Sequence, residues 1–260
     1  MNIDNYEKFK EEFLRLSKID LNAYKENQMK RRINSFITKY KFKEYTDFFE
    51  GLKPKTEIFD KFVTFLTINV SEFYRNPTQW RTLENDIIPY LTSKFGTHLR
   101  IWSAACSTGD EPYSLAMVLK DMLPNGRIEI IATDLDKEVL GKAEKGYYTE
   151  KSVKDLPDKY KKKYLIDDGK GIIRVKDEIR RCIKFKEQNL LKDPYPNGLD
   201  MIVCRNVLIY FTESAKSEVY HEFAKSLKKG GILFVGSTEQ VIACDQYGFD
   251  TFRSFFYRKE

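Results

Sequence analysis

From residue 98 onward, short apolar runs alternate with amphipathic stretches, and that rhythm leaves few folds open. Segments such as I-E-I-I-A-T (128–133) and M-I-V-C (201–204) are apolar nearly throughout. Strands like these are buried on both faces, which is the condition of a parallel sheet covered by helices. The pattern predicts strands over 98–106, 127–134, 183–190, 200–204 and 231–237. It predicts helices over 112–123, 137–145 and 213–227. The segment Asp250–Arg258 has no helix before it and is expected to pair antiparallel at the far end of the sheet. The expected fold class is therefore α/β, with a mostly parallel, Rossmann-like sheet over residues 98–260.

The turn after the first strand carries the most chemistry. Residues 102–115 read W-S-A-A-C-S-T-G-D-E-P-Y-S-L, a strand end, a small-residue turn and a helix start. Such a unit opens many nucleotide-cofactor folds. A dinucleotide site wants three glycines and bare backbone N–H groups for a pyrophosphate. This turn has Gly109 alone, followed at once by Asp110 and Glu111. A phosphate would be repelled there, whereas a cation would be tolerated. The common cationic cofactor at such a turn is S-adenosylmethionine, so Glu111, or Asp110 beside it, is the candidate for its methionine end. The alternative for Glu111 at a helix start is to stabilise the helix dipole, but the loop's poverty in glycine favours the cofactor.

Asp134 ends the second strand in A-T-D-L-D, where an acid bonds ribose hydroxyls in nucleotide-binding α/β folds. Asp136 fits better as the cap of the following helix. Arg205 and Asn206 close the fourth strand, at the strand ends where open α/β sheets bind ligands. Asn189 and Leu190 hold the equivalent place after the third strand, where asparagine could bond adenine and leucine pack on it. Cys204 reads as a small buried apolar residue.

Composition removes several alternatives. Cys106, Cys182, Cys204 and Cys244 form no C-x-x-C pair, which argues against a zinc site or a disulfide framework. With two histidines, His98 and His221, neither a histidine-based metal site nor a Ser-His-Asp triad is expected. No metal is assigned. Met1–Lys18 is charged and amphipathic, unlike a signal peptide, and no apolar run reaches membrane-spanning length. A cytoplasmic protein without membrane insertion is expected, and a monomer.

Residues 1–70 predict four short helices, marked by Tyr6, Phe9, Phe13 and Leu14; by Met29, Ile33, Phe36, Ile37 and Tyr40; by Tyr45, Phe48, Phe49 and Leu52; and by Ile58, Phe59, Phe62, Phe65 and Leu66. The phenylalanines are expected to form the core of a small bundle. Seven cations and one acid lie between Lys25 and Lys43, which equals the net charge of +6 of the whole chain. Either this is a solvated helix face or it is a docking surface for an acidic partner. Residues 71–97 form a linker and a leading helix over 79–93. Residues 147–182 interrupt the α/β rhythm. A lysine-rich helix is expected over 152–164, and a hairpin of 172–175 with 179–185, making a small inserted antiparallel subdomain.

These residues add up to a family resemblance. The segments N-V-S-E-F-Y-R-N (69–76), S-T-G-D-E-P-Y-S (107–114), A-T-D-L-D (132–136), N-L-L (189–191), C-R-N-V-L-I-Y-F (204–211) and L-F-V-G-S-T-E (233–239) resemble the CheR chemoreceptor methyltransferases. The resemblance implies methyl transfer from S-adenosylmethionine to glutamate side chains on the cytoplasmic helices of chemotaxis receptors, leaving S-adenosylhomocysteine. It implies cofactor contacts at Asn69, Ser71, Arg75, Glu111, Asp134, Asn189, Leu190, Arg205 and Asn206. Arg75 and Tyr210 are implied near the methyl group and the acceptor carboxylate. On this reading the basic helix, with Lys25, Arg31, Arg32 and Lys39, docks the receptor. Where the family commonly has Gly-Glu-Glu-Pro, this chain has Gly109-Asp110-Glu111-Pro112, which leaves the charge unchanged. Two rival readings remain: a methyltransferase acting on RNA through the basic helix, and a non-catalytic module that senses the cofactor. The first lacks the Asp/Asn-Pro-Pro-aromatic motif common for base targets, and no nucleic-acid partner is assigned.

Overall fold

The computed structural model describes residues 3–54 and 56–260, which divide into two compact units. The first comprises residues up to Asn69 together with Tyr210–Glu218, and the second Val70–Ile209 with Val219–Glu260.

The first unit holds helices α1 (Ile3–Ser17), α2 (Glu26–Lys39), α3 (Tyr45–Gly51) and α4 (Glu57–Leu66). Its core is a cluster of rings. Phe62 meets Phe36 at 5.0 Å, Phe48 at 4.8 Å and Phe13 at 5.2 Å between centroids, all edge to face. That geometry sets the positive edge of one ring against the negative face of the next. The second segment is stitched on through main chain. Lys25 N donates to Tyr210 O at 2.8 Å, and Thr212 N to Ala23 O at 2.9 Å.

The second unit begins with one long helical run: α5 (Pro77–Thr82), a π-helical turn (Leu83–Ile87) and α6 (Ile88–Phe95). Pro89 stands just inside α6 and has no N–H to give, and the widened turn before it absorbs that missing bond. The run exceeds the expected 79–93 at both ends. There follow β1 (His98–Ala104), α7 (Asp110–Met122), β2 (Arg127–Asp134), α8 (Lys137–Lys145), β3 (Tyr147–Thr149), α9 (Asp158–Tyr164), β4 (Leu165–Asp167), β5 (Ile172–Val175), α10 (Asp177–Arg180), β6 (Ile183–Glu187), β7 (Leu199–Cys204), α11 (Glu213–Ser226, whose first residues, up to Glu218, belong to the first unit), β8 (Leu227–Val235), β9 (Phe249–Arg253) and β10 (Phe256–Lys259). The main sheet runs β6-β2-β1-β7-β8-β10-β9, and its first five strands are parallel. Trp102 lies centrally, in register with Ile131 on one side and Ile202 on the other. The chain leaves β1 toward β2 and β6 and later returns to its other side as β7. The switch point therefore falls between the carboxyl ends of β1 and β7, where ligands bind in open α/β sheets.

The mostly parallel α/β sheet, the helical first unit and a small antiparallel sheet agree with the expected fold class. Several details differ. Residues 250–258 form a hairpin, not one strand. Phe255, at φ 69°, turns the chain so that β10 pairs antiparallel with both β8 and β9. The expected hairpin of 172–175 with 179–185 does not form. Residues 177–180 are helical, and β6 joins the main sheet beside β2, because its apolar Ile183 and Phe185 face α7 and α8 across a parallel ladder. The small sheet is instead β3-β5-β4, antiparallel throughout. The lysine-rich helix starts only at Asp158, after Pro157, which cannot continue a helix from before it but suits a helix start. Cys106 lies past β1 in the turn, and Asn189 and Leu190 past β6.

Candidate active site

The switch point is lined by Val70, Ser71, Glu72, Arg75, Ala105, Cys106, Ser107, Glu111, Arg205 and Asn206. Ser71, Arg75, Glu111, Arg205 and Asn206 are thus brought together. Asn69 and Tyr210 belong to the other unit. Asn69 Nδ2 there donates to Thr67 Oγ1 at 2.9 Å.

The turn after β1 is tightly wound. Ala105 and Ser107 have φ of 59° and 50°, and Gly109 has φ 89°. Left-handed backbone at two residues with side chains costs of order 1–3 kcal/mol each and persists where the surroundings enforce it. A main enforcer is Asp134, which is buried. Its carboxylate accepts from Ser107 N at 2.8 Å and Asp136 N at 3.0 Å. Two backbone bonds on one carboxylate make Asp134 a clamp on the turn, with acceptor capacity left over for hydroxyls. Asp136 caps α8, accepting from Glu138 N and Val139 N. Gly109 is the one residue here that could hardly be anything else: a Cβ would stand 2.9 Å from Ala143 Cβ.

Glu111 and Arg205 form the charged heart of the site. Arg205 Nη1 lies 3.5 Å from Glu111 Oε2, and Ser103 Oγ donates to Glu111 Oε1 at 2.9 Å. Arg205 Nη2 donates to Gln79 Oε1 at 2.7 Å, Arg75 O at 2.8 Å and Asn76 Oδ1 at 3.2 Å. The guanidinium stacks over Phe234 at 4.7 Å. Arg205 is therefore a strut between the end of β7 and the 75–79 segment, in addition to lining the cleft. Trp80 Nε1 also donates to Arg75 O, at 2.9 Å, so the Arg75 backbone is pinned twice while its side chain faces the cleft.

Burial sets the electrostatics. Desolvation pushes the carboxyl groups of Glu111, Asp110 and Asp134 above the usual carboxylate range, opposed in Glu111 by Arg205 and Ser103. Asp110 turns inward, accepting from Thr108 Oγ1 at 2.6 Å and from the Ser71 hydroxyl. Of the two adjacent acids, Glu111 is the one that lines the cleft. Asn189 Oδ1 accepts from Leu191 N at 3.0 Å, which fixes the loop after β6. Burial also pushes the Cys106 and Cys204 thiols well up, so neither is a nucleophile.

The buried Ser107 Oγ has no hydrogen-bond partner, in a cleft that Glu72 and Glu111 also line and on a turn unsuited to phosphate. An orphaned hydroxyl together with fixed negative charge fits a cation-bearing, hydroxyl-rich cofactor such as S-adenosylmethionine.

Two further residues carry the site and had no role from sequence: Gln79, which anchors Arg205, and Glu239, whose carboxylate holds the loop after β7. Glu239 stands within the G-S-T-E segment, four residues past a strand end, which was the available signal.

Among the basic-helix residues, Arg31 and Lys39 are exposed and Lys25 half-buried. Arg32 departs from the docking role. Its guanidinium stacks on the Phe65 ring at 4.7 Å and donates to Phe65 O, and burial lowers its pKa. It ties α2 to the end of α4 inside the first unit.

A helical unit and a cofactor-type cleft at a switch point define an S-adenosylmethionine-dependent methyltransferase. The chain matches the CheR methyltransferase all-alpha domain over residues 4–67 and the CheR methyltransferase SAM binding domain over residues 69–254. It belongs to the CheR methyltransferase family. It is similar to a chemotaxis protein methyltransferase of Listeria innocua, 43% identical, covering 93% of this chain and 92% of that one. The Escherichia coli chemotaxis protein methyltransferase is 35% identical, covering 82% and 74%. Among solved structures, magnesium protoporphyrin IX methyltransferase from Synechocystis PCC 6803 with bound S-adenosylmethionine aligns at 17% identity and TM-score 0.38, covering 70% of this chain and 77% of that one.

Proposed function

We propose that this enzyme methylates glutamate side chains of chemotaxis receptors in the cytoplasm, giving glutamyl methyl esters. The observation that carries the reading is a cleft that Arg75 lines and that holds no histidine. His98 opens β1, at the end of the strand away from the switch point. A glutamate acceptor suits such a site, because with a reference pKa of about 4.3 it is already ionised at neutral pH. It needs no proton removed before attack.

S-adenosylmethionine supplies the electrophilic methyl group and leaves as S-adenosylhomocysteine. Glu111 and the oriented turn hold its cationic end, Asp134 its ribose, and Asn189 with Leu190 its base. Ser71, Arg205 and Asn206 line the same cleft. Arg75 orients the acceptor carboxylate by a paired hydrogen bond. Asn69 and Tyr210 are assigned to the cofactor and the acceptor by family resemblance. Lys25, Arg31 and Lys39 are assigned to the acidic surface of the receptor helices, and Arg32 to support from behind.

The test is mass spectrometry of a receptor signalling fragment after incubation with enzyme and cofactor, with RNA as a parallel substrate. Glutamates heavier by one methyl group support the proposal. Methylated RNA with an unmodified receptor fragment overturns it.

A further inference from the structure

Glu239 is 5% exposed, and no partner among its hydrogen bonds is a cationic side chain. Its carboxylate is held by main chain instead. Oε1 accepts from Val207 N at 2.8 Å, while Oε2 accepts from Gly236 N at 3.0 Å and from Asn206 N. Three backbone donors converging on one group make an anion-binding concavity, here filled by the protein's own side chain. The same contact holds Asn206 at φ 61°, in the left-handed region that asparagine tolerates better than most residues. Gly236 leaves the room. A Cβ there would stand 2.9 Å from Asn206 N and collide with Glu239 Oε2.

We infer that Glu239 is a positioning residue that sets the cleft wall formed by Arg205 and Asn206. Arg205 is fixed through its side chain to the 75–79 segment. Asn206 and Val207 are fixed through their main chain to Glu239. Removing the second grip lets residue 206 relax toward ordinary backbone angles and swings its side chain off the cleft. The role requires an acceptor on both oxygens. Glutamine has the right size but turns an NH₂ group toward a backbone N–H, so the isosteric change is the damaging one. The inference rests on the placement of the cofactor at this cleft.

The experiment uses the full chain and S-adenosylhomocysteine as the probe. In Glu239→Gln, the amide proton resonances of Asn206 and Val207 move upfield while those of β1 and β2 stay in place. Affinity by calorimetry falls about tenfold, the size of one lost charge-assisted bond. Gly236→Ala displaces the carboxylate without changing charge and gives the same loss. The double variant binds no worse than the weaker single one, because both act through one contact. If Glu239→Gln does not fold, Gly236→Ala carries the test alone. Unmoved Asn206 and Val207 resonances, or normal affinity in Gly236→Ala, overturn the inference. Asn206→Ala is measured alongside. Normal affinity there would refute the cofactor placement, while the amide resonances still report on the grip of Glu239.

Discussion

The two units solve the problem of burial in opposite ways. The first fills its interior with rings, Phe9, Phe13, Phe36, Phe48 and Phe62, and leaves charges such as Arg31 and Lys39 of α2 on its surface. Among its described residues the buried charge is Lys10, whose ammonium rests 5.2 Å from the Tyr6 ring centroid. The second unit buries Asp110, Asp134, Asp136, Asp200, Arg205 and Glu239. Charges are costly inside a protein unless each is paired or hydrogen-bonded. Here the partners are mainly backbone N–H groups, and the charged groups at the end of β1 and β7 surround a cleft. Density of buried charge therefore separates the unit with the cofactor-type cleft from the unit built around packed rings.

The contrast is broken most sharply at Arg205. Arg205→Ala leaves Glu111 buried without its cation, which typically costs about 3–5 kcal/mol. Urea unfolding is expected to show that loss, and calorimetry a matching collapse in S-adenosylhomocysteine binding. Phe62→Ala is expected to cost a similar 3–5 kcal/mol through the cavity it opens, but with cofactor-product affinity unchanged. Equal damage to binding in both variants would erase the distinction between the units.

A smaller effect follows from Glu111 and pH. Its folded pKa lies above the unfolded value near 4.5, so its ionised form costs stability. Stability from this group rises as pH falls through the raised value, is complete below the unfolded value, and is lost as pH climbs again. Affinity for a cationic cofactor runs the other way, since protonation removes the charge that attracts it. Relative to Glu111→Gln, the native chain should gain stability and lose S-adenosylmethionine affinity as pH falls from neutral through the raised value toward 4.5. Parallel rather than opposed trends would remove Glu111 from the methionine end.

The smallest effect lies on α2. Exposed charges are weak one at a time, about 0–1 kcal/mol each, so Arg31→Glu and Lys39→Glu are combined. The pair should raise the receptor KM severalfold, with the native reaction slowing as salt rises. Arg32→Glu should instead lower the unfolding midpoint. Unaltered receptor kinetics at low salt would leave α2 a solvated face.

The parallel strands were legible because I-E-I-I-A-T and M-I-V-C carry their burial in their own residues. Asp136 was legible as a cap for the same local reason. The β9–β10 hairpin was not, since Ser254-Phe255 contains neither glycine nor proline to announce a turn. The 172–185 segment misled because Ile183 and Phe185 alternate with lysines, a pattern that serves a surface hairpin or a sheet edge equally. At the site, strand-end polarity pointed to Arg205 and Asn206. The strut role of Arg205 depends on Gln79, 126 residues away, which no local pattern encodes. Arg32 read as one flank of a helical wheel. Its partner Phe65 comes from another helix, so its inward turn could not be seen.

The placement of β10 bears on how such a chain is made. It is the last of the seven main-sheet strands in sequence, yet it sits inside the sheet between β8 and β9. Until residues 256–259 are in place, β8 presents its open edge, with Ile232, Leu233, Phe234 and Val235 along it, and β9 has nothing to pair with. An uncovered apolar edge strand is a template for the wrong neighbour. The folding chain thus exposes this apolar edge until β10 docks, and the pairing of four residues ends that exposure.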